Sequence, residues 1–131
     1  MVHGTHNAID DSRNKDIKIY INGTFFTREN AKISVFDSGY LVGDGIWEAL
    51  RLHRDVLVFL NDHLDRLWQS AAAVGMTFPF TRNELVEEVW KTLNENNMHD
   101  DVHVRIMITR GIKKTPSQDP RLTISGPNVV I

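Results

Sequence analysis

The hydrophobic positions of this chain change period along its length. Ile17, Ile19 and Ile21 alternate with polar or amphipathic neighbours and run directly into Asn22-Gly23. Alternation of period two predicts a strand, and an Asn-Gly pair suits a two-residue hairpin turn, because both central positions need positive φ. Thr24-Phe25-Phe26 is then the returning strand, and Ala31 to Phe36 reads as a further short β run. Asp37 to Gly45, DSGYLVGDG, holds three glycines in nine residues and is expected to be a loop. Ile46–His53 and Val56–Phe59 flank Arg54-Asp55 and predict a second hairpin.

The period then lengthens to that of a helix. Leu64, Leu67, Trp68, Ala71 and Val74 form one apolar stripe, with Asn61 or Asp62 as the expected N-cap and Gly75 as the stop. Thr81 and Glu84 form a T-x-x-E capping box ahead of a second stripe, Leu85, Val86, Val89, Trp90 and Leu93, which ends in the Asn-rich stretch 94–97. From Val102 to Arg110 strict alternation returns. Val102, Val104, Ile106 and Ile108 take one face, and His103, Arg105, Met107 and Thr109 the other. Residues 111–120 read as a polar loop in which burial of Lys113 or Lys114 is not expected, and Leu122–Ser125 as a strand broken by Gly126-Pro127. Strands, two helices, then strands predict an α+β two-layer sandwich, with a mainly antiparallel sheet and two packed helices.

Composition narrows the function classes. The chain has 131 residues, 41% hydrophobic and 24% charged, enough for one domain with a real core. Fifteen basic against seventeen acidic residues give a net charge of −2, without the basic excess of a dedicated nucleic-acid or anionic-membrane binder. The absence of cysteine excludes a disulfide framework and a thiolate site. No apolar run approaches the ~20 residues of a membrane span. Residues 1–15 are polar and aperiodic, without the apolar core of a secretory signal, and are expected to form a mobile tail ahead of a domain over 16–131. The expected location is cytoplasmic. The final run Val129-Val130-Ile131 stops on apolar letters, which favours a domain cut from a longer polypeptide over an edge strand that closes the fold.

Six histidines, His3, His6, His53, His63, His99 and His103, include no H-E-x-x-H pair, so no metal site is expected. Ser38 lies in no G-x-S-x-G elbow. Gly43-Asp44-Gly45 lacks the third glycine of a dinucleotide fingerprint and precedes a strand rather than a helix.

Four segments occur in a distinctive order: I-x-x-N-G at 19–23, G-D-G followed by W-E at 43–48, H-L-D-R-L at 63–67 and V-R-x-x-x-T-R-G at 104–111. In this order they resemble the N-terminal domain of the class IV, fold-type IV, pyridoxal-phosphate aminotransferases, which include branched-chain and D-amino-acid aminotransferases and aminodeoxychorismate lyase. The resemblance extends from about Ile17 to Ile131. It implies that Arg66 contacts the phosphate of pyridoxal phosphate, a role suited to a guanidinium that offers a fixed fork of donors and stays charged. The helical wheel instead places Arg66 opposite the apolar stripe, as an ordinary solvated residue.

The resemblance further implies that Tyr40 and Val42 face the substrate, where the residues alone read as local packing, and it matches Trp47 and Glu48 to an aromatic-Glu pair in which Trp47 suits the core as well as the substrate pocket. It puts Arg105 near a substrate carboxylate and His103 where branched-chain members have tyrosine. Thr115 and Ser117 stand where D-amino-acid aminotransferases carry arginine and histidine, which argues against that substrate class. The family's Schiff-base lysine belongs to a C-terminal domain. None of the six lysines, Lys15, Lys18, Lys32, Lys91, Lys113 and Lys114, has its context. The leading expectation is therefore an inactive N-terminal domain of an aminotransferase that self-associates, without covalent cofactor. A silent binding module and a fragment of a lyase-like enzyme stand as alternatives.

Overall fold

The structure, a computed structural model, describes residues 10–131. Six strands form one sheet: β1 (Lys18–Ile21), β2 (Thr24–Thr27), β3 (Gly45–His53), β4 (Val56–Val58), β5 (Val102–Thr109) and β6 (Asn128–Val130). Their order is β2-β1-β6-β5-β3-β4, and every neighbouring pair is antiparallel. Three helices accompany them: α1 (Ser38–Val42), α2 (Leu60–Ala73) and α3 (Arg82–Glu95). The α+β sandwich expected from the pattern is the one observed.

One face of the sheet carries the core. Leu50, Leu52, Val104, Ile106 and Ile108 meet Leu64, Leu67 and Ala71 of α2 and Leu85, Val89 and Leu93 of α3. The β5 alternation is as expected: its even positions are buried, while His103, Arg105 and Met107 are exposed. The capping box of α3 is present, with Thr81 Oγ1 accepting from Glu84 N and the Glu84 carboxylate accepting from Thr81 N.

Several local expectations are corrected. Residues 31–36 form no strand: the chain turns at Thr27–Asn30, and the next β-bridge is the isolated Asp37–Ile112 pair. The glycine-rich segment is not all loop. Asp37 Oδ1 accepts from the free amides of Gly39 and Tyr40 and so starts α1. Helix α2 begins earlier than Asn61 or Asp62 would cap it, after Phe59 in the left-handed region and without a side-chain cap. Leu122 closes a short 3₁₀ turn instead of opening a strand. Strand β6 lies between β1 and β5, so it is internal rather than an edge.

Lys113, expected on a polar loop, is 1% exposed. Its ammonium donates to Asp119 O at 3.0 Å, and Asp119 in turn holds Arg121 N, so the loop folds over its own lysine. Of the expected tail, residues 1–9 lie outside the described residues. Residues 12–14 form a 3₁₀ turn from which Arg13 donates to Asp100 O (2.8 Å) and Asp101 O (3.0 Å).

Candidate active site

Strand β3 splits the expected site residues between two faces, because consecutive side chains point to opposite sides of a sheet. Glu48 points to the helices and is 2% exposed. A carboxylate so placed must find donors, and α2 brings them. Arg66 donates from Nε to Glu48 Oε2 (2.7 Å) and from Nη2 to Oε1 (2.5 Å), while Oε1 also accepts from Ala49 N (2.9 Å). His63 Nδ1 lies 3.0 Å from the same oxygen. The Arg66 guanidinium holds the Glu48 carboxyl well below its usual value, at about 2, against the opposing effect of burial.

This fork explains how Arg66 is both solvated and ordered. Its side chain keeps 66% of its exposure. Glu48 occupies the Nε–Nη2 edge, and Nη1 has no hydrogen-bond partner among the described residues. The wheel position opposite the stripe holds, but a buried carboxylate from β3 determines which way the head turns.

Trp47 points the other way, onto the face opposite α2 and α3, and is 58% exposed. Across the β3–β5 ladder Trp47 pairs with Met107 and Ala49 with Arg105. The Arg105 guanidinium lies over the Trp47 ring, 4.3 Å from its centroid, a cation–π contact. Two hollows adjoin this pair. One, of ≈ 330 Å³, is bounded by Tyr40, Trp47, Ile33 and Met107. The other, of ≈ 270 Å³, is bounded by His103, Arg105, Met107 and Ile131 and equally by Leu93 and Asn96 at the end of α3, so it reaches the helix side of the sheet as well.

Tyr40 reaches its hollow from α1 and is 72% exposed. Helix α1 lies tight against β5 at Gly39, where a Cβ would fall 2.5 Å from Thr109 Cγ2. The structure thus brings together Tyr40 with Trp47, and His103 with Arg105. It leaves Val42 at the margin of α1, bounding neither hollow, and Arg66 on the helix side of the sheet. Among the described residues no group of three His, Asp or Glu side chains is placed to hold a metal.

A protein-family model described as amino-transferase class IV matches residues 45–126. The chain belongs to the class IV aminotransferases. It is 42% identical over 96 residues to a putative branched-chain-amino-acid aminotransferase of Methanocaldococcus jannaschii, covering 73% of this chain and 33% of that protein. It is 35% identical over 105 residues to a D-alanine aminotransferase of Listeria monocytogenes, covering 80% and 34%.

Among solved structures, a T.th. branched-chain amino acid aminotransferase complexed with N-(5'-phosphopyridoxyl)-L-glutamate superposes with a TM-score of 0.75 at 24% identity. That match covers 88% of this chain and 39% of that one, and it bears out the fold. The class IV chain described here spans about a third of the length of the curated relatives it matches.

Two features of the site are hidden from a sequence reading. Glu48 stands there only as part of the W-E pair, since nothing in an 18-residue separation announces contact with Arg66. Asp37 falls in a segment expected as loop, although it is fully buried. The Asx pattern of a DSG segment at a helix start is the available signal.

Proposed function

We propose that this chain is the N-terminal domain, residues 16–131, of a pyridoxal-phosphate aminotransferase that moves an amino group between an amino acid or amine and a keto acid. The observation that carries the reading is Arg66, held along one edge by buried Glu48 with Nη1 left for an anion. That geometry fits the phosphate end of the cofactor. The cofactor, when bound, supplies an electron-withdrawing ring that lets a substrate α-carbon release its proton.

This chain's own residues bind and orient. Arg66 donates to the phosphate from a direction fixed by Glu48, and His63 keeps Glu48 Oε1 in place. Tyr40 and Trp47 shape the substrate side chain's surroundings, with Val42 beside them on the same segment. Arg105 offers a cation to a substrate carboxylate, and His103 lies two residues away on the same face. Arg66 and the Trp47–Arg105 pair lie on opposite faces of the sheet, so one copy of this chain does not gather them around one ligand, and the reading calls for further polypeptide. The reading places the reacting lysine in that polypeptide and makes this chain inactive alone.

No helix among the described residues is long and apolar enough to cross a membrane. The reading carries a cytoplasmic homodimer with it. Neither nucleic acid nor a membrane surface is a partner.

The test is Arg66→Ala and Arg66→Lys in the full-length enzyme, with cofactor affinity read by equilibrium dialysis. Both variants are expected to weaken it, Lys less than Ala, by roughly ten- to hundredfold for loss of a charge-assisted contact. Unchanged affinity in Arg66→Ala overturns the assignment.

A further inference from the structure

A line of side-chain amides runs through the sheet and ends at Asp37. It begins at the β1–β2 turn, where Val129 N donates to Asn22 Oδ1 at 2.8 Å. A backbone N–H only donates, so this contact fixes the orientation of the Asn22 amide. Its Nδ2 therefore faces onward and donates to Asn128 Oδ1 at 2.9 Å. Asn128 in turn presents its Nδ2 to Asp37 Oδ2 at 2.6 Å. From the opposite side Gly39 N (2.8 Å) and Tyr40 N (3.4 Å) donate to Asp37 Oδ1. The Thr109 hydroxyl donates to Oδ2 at 2.6 Å.

A primary amide accepts at one end and donates at the other, so it passes polarity along without reversing it. Both ends of this line are backbone donors. Two streams of N–H groups therefore converge, and only an acceptor at both oxygens can stand where they meet. An amide cannot, because its Nδ2 would face another N–H. Asp37 is 0% exposed, and no Lys, Arg or His pairs with it among the described residues. The four donors take the place of a counter-ion.

We propose that Asp37 is a buried acceptor junction that locks α1, and with it Tyr40 and Val42, in register with the β1–β2 turn, and so acts as a positioning residue for the substrate-facing segment. The locking stands on this geometry, whereas its effect on substrate rests on the reading of Tyr40 and Val42 given above.

Moving the acceptor-only residue one step along the line tests the proposal. Asp37→Asn sets an N–H against N–H donors. Asn128→Asp sets two carboxylates against each other. The double variant, Asp37→Asn with Asn128→Asp, restores the polarity of the line. The amide introduced at position 37 would accept from Gly39 and Tyr40 and donate to the new carboxylate at position 128, which accepts from Asn22. Hydrogen exchange of the Gly39 and Tyr40 amides is the readout, with the Ile106 amide in β5 as the measure of global opening.

Asp37→Asn is expected to speed exchange at Gly39 and Tyr40 relative to Ile106 by roughly ten- to hundredfold, the loss of charge-assisted contacts. The double variant is expected to return them close to the parent. Should both single variants unfold the chain, folding of the double variant supports the junction, and its failure to fold overturns it. Unchanged protection in Asp37→Asn overturns it, as does a double variant no better than the worse single.

In the full-length enzyme Asp37→Asn should raise KM for the amino acid more than it lowers kcat, with KM recovered in the double variant. If exchange follows the expected pattern while KM stays fixed, the junction stands and the substrate role of Tyr40 and Val42 falls.

Discussion

Arg110 and Asp44 form a nearly buried bidentate pair, Nε to Oδ2 at 2.6 Å and Nη2 to Oδ1 at 3.1 Å, with side chains 16% and 19% exposed. The same guanidinium donates to Val74 O (2.7 Å) and Gly75 O (3.0 Å), the carbonyls that end α2. One residue of the T-R-G segment thus ties the G-D-G loop, the end of β5 and the C-terminus of α2 together. Arg110→Ala leaves Asp44 and two carbonyls without these donors and is expected to cost about 3–5 kcal/mol. Arg110→Lys should recover only part of that, since an ammonium cannot reproduce the fork. Urea denaturation midpoints check both, and a loss below about 1 kcal/mol in Arg110→Ala, the range of an exposed ion pair, would show that the pair is dispensable.

Glu48 links stability to acid. Its carboxyl is lowered from 4.5 to about 2 in the folded chain, chiefly by Arg66. A depressed folded value means stability that is complete above about pH 4.5 and is lost as pH falls towards 2. The contribution is at most ~3 kcal/mol by linkage, and smaller because Arg66 is solvated. Asp11, Glu84, Asp100 and Asp119 are lowered too, so the acid limb has several contributors. The decisive measurement is therefore the difference between the parent and Glu48→Gln, which should shrink from about pH 6 to about pH 2. Parallel profiles would remove Glu48 from the account.

Periodicity makes the sheet and both long helices legible because their apolar residues repeat at the spacing their packing requires. The β5 alternation and the T-x-x-E box are visible for that reason. The Arg54-Asp55 hairpin is a harder case. Both residues adopt positive φ without glycine, held there by Asp100 Oδ1 accepting from Arg54 N and His99 O accepting from Asp55 N. Support of that kind comes from elsewhere in the chain, and no local pattern encodes it. The same holds for Lys113, whose burial depends on Asp119, and for Asp37, whose donors lie up to 91 residues away. Tyr40, Trp47, His103 and Arg105 are named through the family resemblance, while their grouping around two hollows needs the fold.

The sheet face opposite α2 and α3 should find a partner. Trp47 and Met107 are exposed large apolar residues paired across it, and contiguous apolar patches of more than a few hundred Å² seldom stay free. Self-association is the expected outcome. Light scattering that shows a monodisperse monomer at high protein concentration would count against it.

The lysines provide a direct check on inactivity. Pyridoxal phosphate added to the chain, followed by borohydride reduction and peptide mapping, should label no single lysine to completion. Lys113 is the informative position, because burial shields its ammonium against Asp119 O rather than presenting it to a ligand. One fully modified lysine among the six would overturn the placement of the reacting lysine in other polypeptide.

The substrate role proposed for Arg105 predicts discrimination by charge. Arg105 shares a face with His103 and Met107, and its guanidinium is kept over Trp47 rather than paired to a carboxylate within the described residues. Stacking orients the plane of the guanidinium but does not neutralise it, so its charge remains available to a ligand. Met107 and Trp47 beside it make the same surface receptive to an apolar side chain. A charge-assisted contact in such surroundings contributes about 1.5–3 kcal/mol, or roughly one to two decades in affinity. Arg105→Ala in the full-length enzyme should therefore weaken acidic keto-acid acceptors strongly and purely apolar ones little. Comparing kcat/KM for the two acceptor classes decides the point. Equal losses for both would make Arg105 a support for Trp47 and nothing more, because a collapsed ring would damage the apolar surroundings that every acceptor shares.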